Sequence, residues 1–197
     1  MSKRADAHMH LFRPGYVDKL TEACRRVSPN EVTLYEALAR EHGIERALVV
    51  GYEGQPAYRG NNAYIARLAA THAWMRPVAF AADPKQLTVP RLEQWRAQGF
   101  VGVSMYLFSD ALIANLKTTP DQTWEWIERH RFLISVNSRG KFWDGWRIVL
   151  ERHPQLRVIG SHLGLPSAVS SAPTASVARR HLQSVMALAK FPSVHVK

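Results

Sequence analysis

A short apolar, β-branched run, a few turn residues and then a helical pattern recur along the whole sequence. Residues 4–12 read as a first strand. Ser28-Pro29-Asn30-Glu31 reads as a helix start, with Ser28 as cap, Pro29 in the first turn and Glu31 closing a capping box. Val32, Tyr35, Leu38 and Ala39 then mark one helix face, and Gly43 stops it. Strands follow at 44–52, 76–82, 100–107, 132–137, 156–163 and 193–197. Helices are expected at 61–72, 90–98, 142–153 and 176–190. Another is expected after Thr119-Pro120-Asp121-Gln122, where the capping-box pattern recurs before Trp124 and Ile127.

Such alternation implies an α/β protein with a parallel sheet and crossover helices. No glycine-rich phosphate loop follows any strand, which argues against a nucleotide-binding doubly wound sheet. A (β/α)8 barrel fits better, in one domain over residues 1–197. Such barrels usually run to about 250 residues, so the expectation is a barrel lacking its last strand and helices.

Composition narrows the function. The 197 residues are 46% hydrophobic and 21% charged, as in a globular domain with a real core. No apolar run reaches the roughly 18 residues of a membrane helix. Cys24 is the only cysteine; with no basic-then-apolar leader, a reducing cytoplasm is expected. The 26 basic residues exceed the 16 acidic ones, for a formal charge of +10. They are scattered, however, and clusters such as Arg25-Arg26 and Arg179-Arg180 are only two long. No zinc-finger or helix-turn-helix signature accompanies them. The charge therefore reads as a solvated surface or a cleft for anionic small molecules, not as a nucleic-acid or membrane face.

Two strand ends carry histidines. Side chains alternate along a strand, so His8 and His10 share a face and can reach one divalent ion. His162 ends the strand expected at 158–162, on the same C-terminal rim that bears barrel active sites. It is a candidate third metal ligand, or a proton carrier. Arg139, after the fifth strand, could clasp a substrate carboxylate, and Tyr106, at the end of the fourth, could donate a hydrogen bond. His42, His72, His130 and His153 fall at helix ends, where a cation suits the helix dipole. Trp95, Trp124, Trp126, Trp143 and Trp146 fall on helices and read as packing against the sheet.

Asp6-Ala7-His8-Met9-His10-Leu11-Phe12 resembles the opening strand of the amidohydrolase superfamily. The segment from Arg152-His153-Pro154 through Ser161-His162-Leu163-Gly164-Leu165-Pro166 resembles a later part of its lactonase-like branch. That branch opens sugar lactones and pyrone dicarboxylates and also includes decarboxylases of aromatic acids. The resemblance implies hydrolysis of a lactone or similar cyclic ester by activated water. It implies His8, His10 and His162 as metal ligands, with zinc or manganese as the ion, or a metal-independent variant of the same chemistry. Asn137 stands where many members place a fifth-strand histidine ligand and is a candidate catalytic group beside His162. The family's eighth-strand aspartate has no counterpart before the sequence ends. Decarboxylation on the same barrel, or an inactive truncated form, are the alternatives. Exposed sheet edges would also allow copies of the chain to pair.

Overall fold

A computed structural model of the chain describes residues 4–13, 30–164 and 173–197. The expected cap Ser28, with Pro29, and the lone Cys24 lie outside these residues. The described chain divides into two compact units, one of residues 1–80 and 96–101, the other of 81–95 and 102–197.

The first unit is built on three strands, β1 (Arg4–Met9), β2 (Ile44–Val50) and β3 (Met75–Ala81, to Phe80 in this unit). β1 pairs with β2, and β2 with β3, all in parallel. Helix α1 (Glu31–His42) joins β1 to β2, and α2 (Asn61–Ala69) joins β2 to β3. The cap of α1 is Asn30, whose side chain accepts from the Thr33 amide at 3.2 Å. The capping box expected between Ser28 and Glu31 involves a residue outside those described; Glu31 Oε2 accepts from the Phe12 amide at 2.9 Å and ties the segment after β1 to the helix start. Gly43 ends α1 at φ 66°, a left-handed position in which its amide bonds back to the last turn.

The second unit holds four strands, β4 (Gly102–Leu107), β5 (Leu133–Ser138), β6 (Val158–Gly160) and β7 (Val194–Val196). They pair in sequence order, again in parallel. Most of α3 (Val89–Ala97) belongs here, with α4 (Asp110–Lys117), α5 (Asp121–Arg129), α6 (Asp144–Arg152) and α7 (Ala175–Met186). Helix α4 was not expected from the sequence. Ser109 caps it by accepting from the Leu112 amide. Thr119 does not cap α5: its hydroxyl donates to the Asn115 carbonyl, and Pro120 takes the cap position. The stretch expected as one helix over 142–153 begins instead as a 3-10 turn, Gly140–Trp143, before α6.

Alternation along β4 and β5 sorts the second unit into two faces. Val103, Met105, Ile134 and Val136 are fully buried apolar residues on one of them. On that face Trp143 and Val196 close over Gly160, where an added Cβ would meet the Trp143 ring at 3.0 Å. Trp124, Trp143 and Trp146 are at most 1% exposed. These tryptophans fill the helix layer, as expected. The other face carries Ser104, Tyr106, Ser135 and Asn137, set opposite one another by the register Ser104–Ser135 and Tyr106–Asn137.

Candidate active site

β1 does not run straight into its histidines. Asp6 stands beside Ala47 and Met9 beside Val49, so three steps on β1 match two on β2, a β-bulge. Asp6 holds the bulge. Its Oδ1 accepts from the His8 amide at 2.9 Å and its Oδ2 from the Tyr35 hydroxyl at 3.1 Å. Burial, with the Asp6 carboxylate beside it, pushes the Tyr35 phenol above its ordinary range, so Tyr35 stays a donor. Beyond the bulge the two imidazoles meet, Nε2 to Nε2, at 3.1 Å.

The sequence expectation that His8 and His10 face the same way is realised in this contact. His10 Nδ1 lies 2.6 Å from the Val50 carbonyl. A carbonyl only accepts, so Nδ1 carries the proton and Nε2 of the neutral ring offers its lone pair. His8 Nε2 is then the donor between the rings, and to bind an ion through that nitrogen His8 would carry its proton on Nδ1 instead. The Val50 contact to His10 is the outer-shell support that metal-binding histidines use to fix tautomer and ring orientation. Two nitrogens bound at about 2.0–2.1 Å to one zinc, at angles between square and tetrahedral, stand about 2.9–3.4 Å apart. The pair therefore fits a divalent ion. Among the described residues, no cluster of three or more His, Cys, Asp or Glu side chains is arranged to hold one.

An aromatic wall continues from the pair, and it was not expected. Phe12 stacks on His10 with centroids 5.6 Å apart, Tyr58 lies 4.7 Å beyond Phe12, and Tyr52 bridges Tyr58 to Phe80 at 5.3 Å each. These four rings are 68 residues apart in sequence at the extremes, which is why no local pattern joins them.

In the second unit the structure corrects the placement of His162. β6 ends at Gly160, and His162 stands beyond it in a left-handed turn, Ser161–Gly164. His162 has φ 55°, Leu163 has φ 51° and Gly164 has φ 92°. A left-handed conformation costs a residue with a Cβ roughly 1–2 kcal/mol. The turn is held from outside: the Leu163 amide donates to the Lys197 carbonyl at 2.9 Å, and Trp143 Nε1 to the Gly164 carbonyl at 3.0 Å. Ser161 is buried, whereas His162 is presented outward. Strain kept next to a titratable side chain is a feature of functional sites.

Asn137 and Tyr106 sit side by side at the ends of β5 and β4. Asn137 is 9% exposed, and its Oδ1 is buried with no hydrogen-bond partner. Arg139 lies just past β5, exposed, with its guanidinium 5.5 Å from the centre of the Phe108 ring. Lys197, at the end of β7, reaches across β6 to donate to Ser135 Oγ at 3.3 Å. Lys197 and Ser135 were not singled out from the sequence. The alternation Gly-Val-Ser-Met-Tyr-Leu and Leu-Ile-Ser-Val-Asn-Ser was the available signal, because a strand covered on both faces usually reads as continuous apolar residues.

Comparison with known proteins agrees with this architecture. The amidohydrolase family model matches residues 5–197. This chain belongs to the amidohydrolase family. Among solved structures, it is similar to an amidohydrolase from Burkholderia multivorans with bound zinc, with a TM-score of 0.75 at 18% identity, covering 99% of this chain and 69% of that one. It is similar to a probable 2-pyrone-4,6-dicarboxylic acid hydrolase from Acinetobacter baumannii with citric acid bound, at 19% identity and a TM-score of 0.66, covering 98% and 68%. It is also similar to amidohydrolase 2 from Bifidobacterium longum subsp. infantis, at 15% identity and a TM-score of 0.57, covering 98% and 71%. No curated protein matches. The fold is thus the α/β type of the (β/α)8 barrel, represented here by seven strands. Among the described residues no helix is long and apolar enough to cross a membrane.

Proposed function

We propose that this amidohydrolase-family chain is a hydrolase that opens a lactone or similar cyclic ester of a small, anionic molecule with activated water. The observation that carries the reading is the His8–His10 pair, with His10 fixed by Val50 so that its Nε2 lone pair is presented. His8 and His10 are the residues that would hold a divalent ion, zinc or manganese. Such an ion supplies two things to hydrolysis, acidified water and a polarised carbonyl. The zinc in the Burkholderia multivorans structure and the name of the Acinetobacter baumannii one support this chemistry without fixing the substrate.

The other residues take roles suited to their chemistry. His162 is assigned proton transfer, which an imidazole performs near neutral pH. Its presentation on a strained turn suits a group that must stand in one place. Arg139 offers a planar fork for a carboxylate, Tyr106 a phenolic hydrogen bond, and Asn137 an amide. The rings of Phe12 and Tyr58 give a cyclic substrate an apolar surface next to the histidines.

The test is a panel of lactones followed by proton release, with the purified chain and its His8→Ala and His162→Ala variants. We expect turnover by the native chain and a loss of at least about 100-fold in either variant, the scale of a lost acid–base group. Unchanged hydrolysis by a folded variant would remove that residue from the assignment.

A further inference from the structure

The polar face of the second unit holds more than the proposed chemistry uses. Ser104, Tyr106, Ser135 and Asn137 line β4 and β5, and the register carries the same face through Ile159 on β6 to His195 on β7. No acidic residue stands at any of these positions. Into this face Lys197 extends its ammonium, anchored on the Oγ of Ser135, which is 1% exposed. Two residues farther along β5, a Cα spacing of about 6.6 Å, Asn137 carries its amide on the same face, with a buried, unpartnered Oδ1.

A buried carbonyl oxygen without a partner costs about 1–3 kcal/mol. The fold meets that cost at Asn137 while satisfying the neighbouring Ser138, whose hydroxyl donates to the Leu107 carbonyl at 2.8 Å. Rotation about the terminal torsion of asparagine exchanges its donor and acceptor ends. A hydroxyl both donates and accepts, so it satisfies either end. A carboxylate is the natural partner of the ammonium. A carboxylate with a hydroxyl on the adjacent carbon spans about 8 Å from one protein group to the other when both hydrogen bonds are counted.

We infer that Lys197 and Asn137 form a substrate subsite for an α-hydroxy carboxylate: the Lys197 ammonium, positioned by Ser135, takes the carboxylate, and the Asn137 amide takes the hydroxyl. This rests on the lactone-hydrolase reading for its place in a reaction and narrows the substrate to a ring that carries this pair of groups. Lys197 is then a specificity residue, and Ser135 a positioning residue acting through it.

Malate and succinate differ by one hydroxyl and serve as probes. Their binding is measured by calorimetry on the full chain, without metal and without any lactone, so the result is independent of turnover. The native chain should bind malate about fivefold more tightly than succinate, the yield of one neutral hydrogen bond. Asn137→Leu should bring the ratio close to one and leave succinate nearly unchanged; Asn137→Ala serves if the larger side chain prevents folding, as judged by circular dichroism. Lys197→Met should weaken both probes at least tenfold, and Ser135→Ala should weaken both by less. Equal binding of the two probes, a preference that survives loss of Asn137, indifference to Lys197→Met, or no binding of either probe at millimolar concentration would each overturn the subsite. Failure of every lactone with an intact malate preference would instead remove the hydrolase reading and leave the subsite standing.

Discussion

At the scale of single residues, two placements bear on the proposed chemistry. His10 is set by one carbonyl, and His162 by a backbone conformation that leucine and histidine rarely adopt. The motif His8-Met9-His10 was legible because strand alternation alone puts the rings together. The bulge at Asp6 and the Val50 acceptor were not legible, since both depend on pairing between β1 and β2. His162 was legible as a residue and misplaced as geometry: the run Val158 to Leu163 looks like a strand, and contacts from Lys197 and Trp143 hold its end left-handed. The left-handed turn makes a prediction at this scale. Leu163 is 61% exposed, so its side chain contributes little burial. Leu163→Gly should relieve backbone strain and raise the urea midpoint by the equivalent of up to about 1 kcal/mol, after the added unfolded-state freedom of glycine is subtracted. A lower midpoint would show that the turn is not strained at this residue.

At the scale of elements, the helices follow local chemistry closely where caps are concerned. The cap of α1 is Asn30, which accepts from the Thr33 amide, while the expected cap Ser28 lies outside the described residues. Asn30→Ala should therefore destabilise the chain by about 1 kcal/mol, read as a shift in the denaturation midpoint. Helix α4 escaped the sequence reading because its eight residues lie between two strands with no long apolar stripe. The contact between α5 and the end of α6 carries a pH dependence. His153, only 6% exposed, places Nε2 3.0 Å from Asp121 Oδ1 and Nδ1 3.5 Å from Glu128 Oε2. The His153 hydrogen bond holds the Asp121 carboxyl below its ordinary value, burial works against it, and the charges of Arg152 and His153 add to the lowering. A carboxyl lowered in the folded state stabilises above its unfolded value of about 3.9 and loses that contribution as pH falls through the folded value. Urea midpoints should fall as pH drops below about 5, and His153→Gln should flatten that fall; an identical pH profile in the variant would dissociate Asp121 from His153.

At the scale of the whole molecule, the strand–helix alternation in the sequence was enough for the barrel-type α/β class, and the strands and the solved-structure neighbours agree with it. Each β-branched run is short, several helices end at a stop such as Gly43, Gly99 or Pro154, and both signals are local. The tryptophans were legible as packing for the same reason: they recur on the expected helices and are buried there. The polar face of β4 and β5 was present in the sequence as alternation, yet its meaning depends on Lys197 reaching back from β7, a separation of 62 residues. The aromatic wall beside His10 likewise assembles from the segment after β1, from β3 and from the stretch after β2. Long-range contacts of this kind are where the single sequence is silent and the fold supplies the chemistry.

The central claim is that His8 and His10 form the metal-holding pair of a hydrolase. Metal content of the purified chain, measured beside its His10→Ala variant after equilibration with zinc and removal of excess ion, tests it most directly. The account predicts about one equivalent of zinc in the native chain and loss of it in the variant, with both proteins folded. Equal zinc in the two, or none in the native chain, would contradict it.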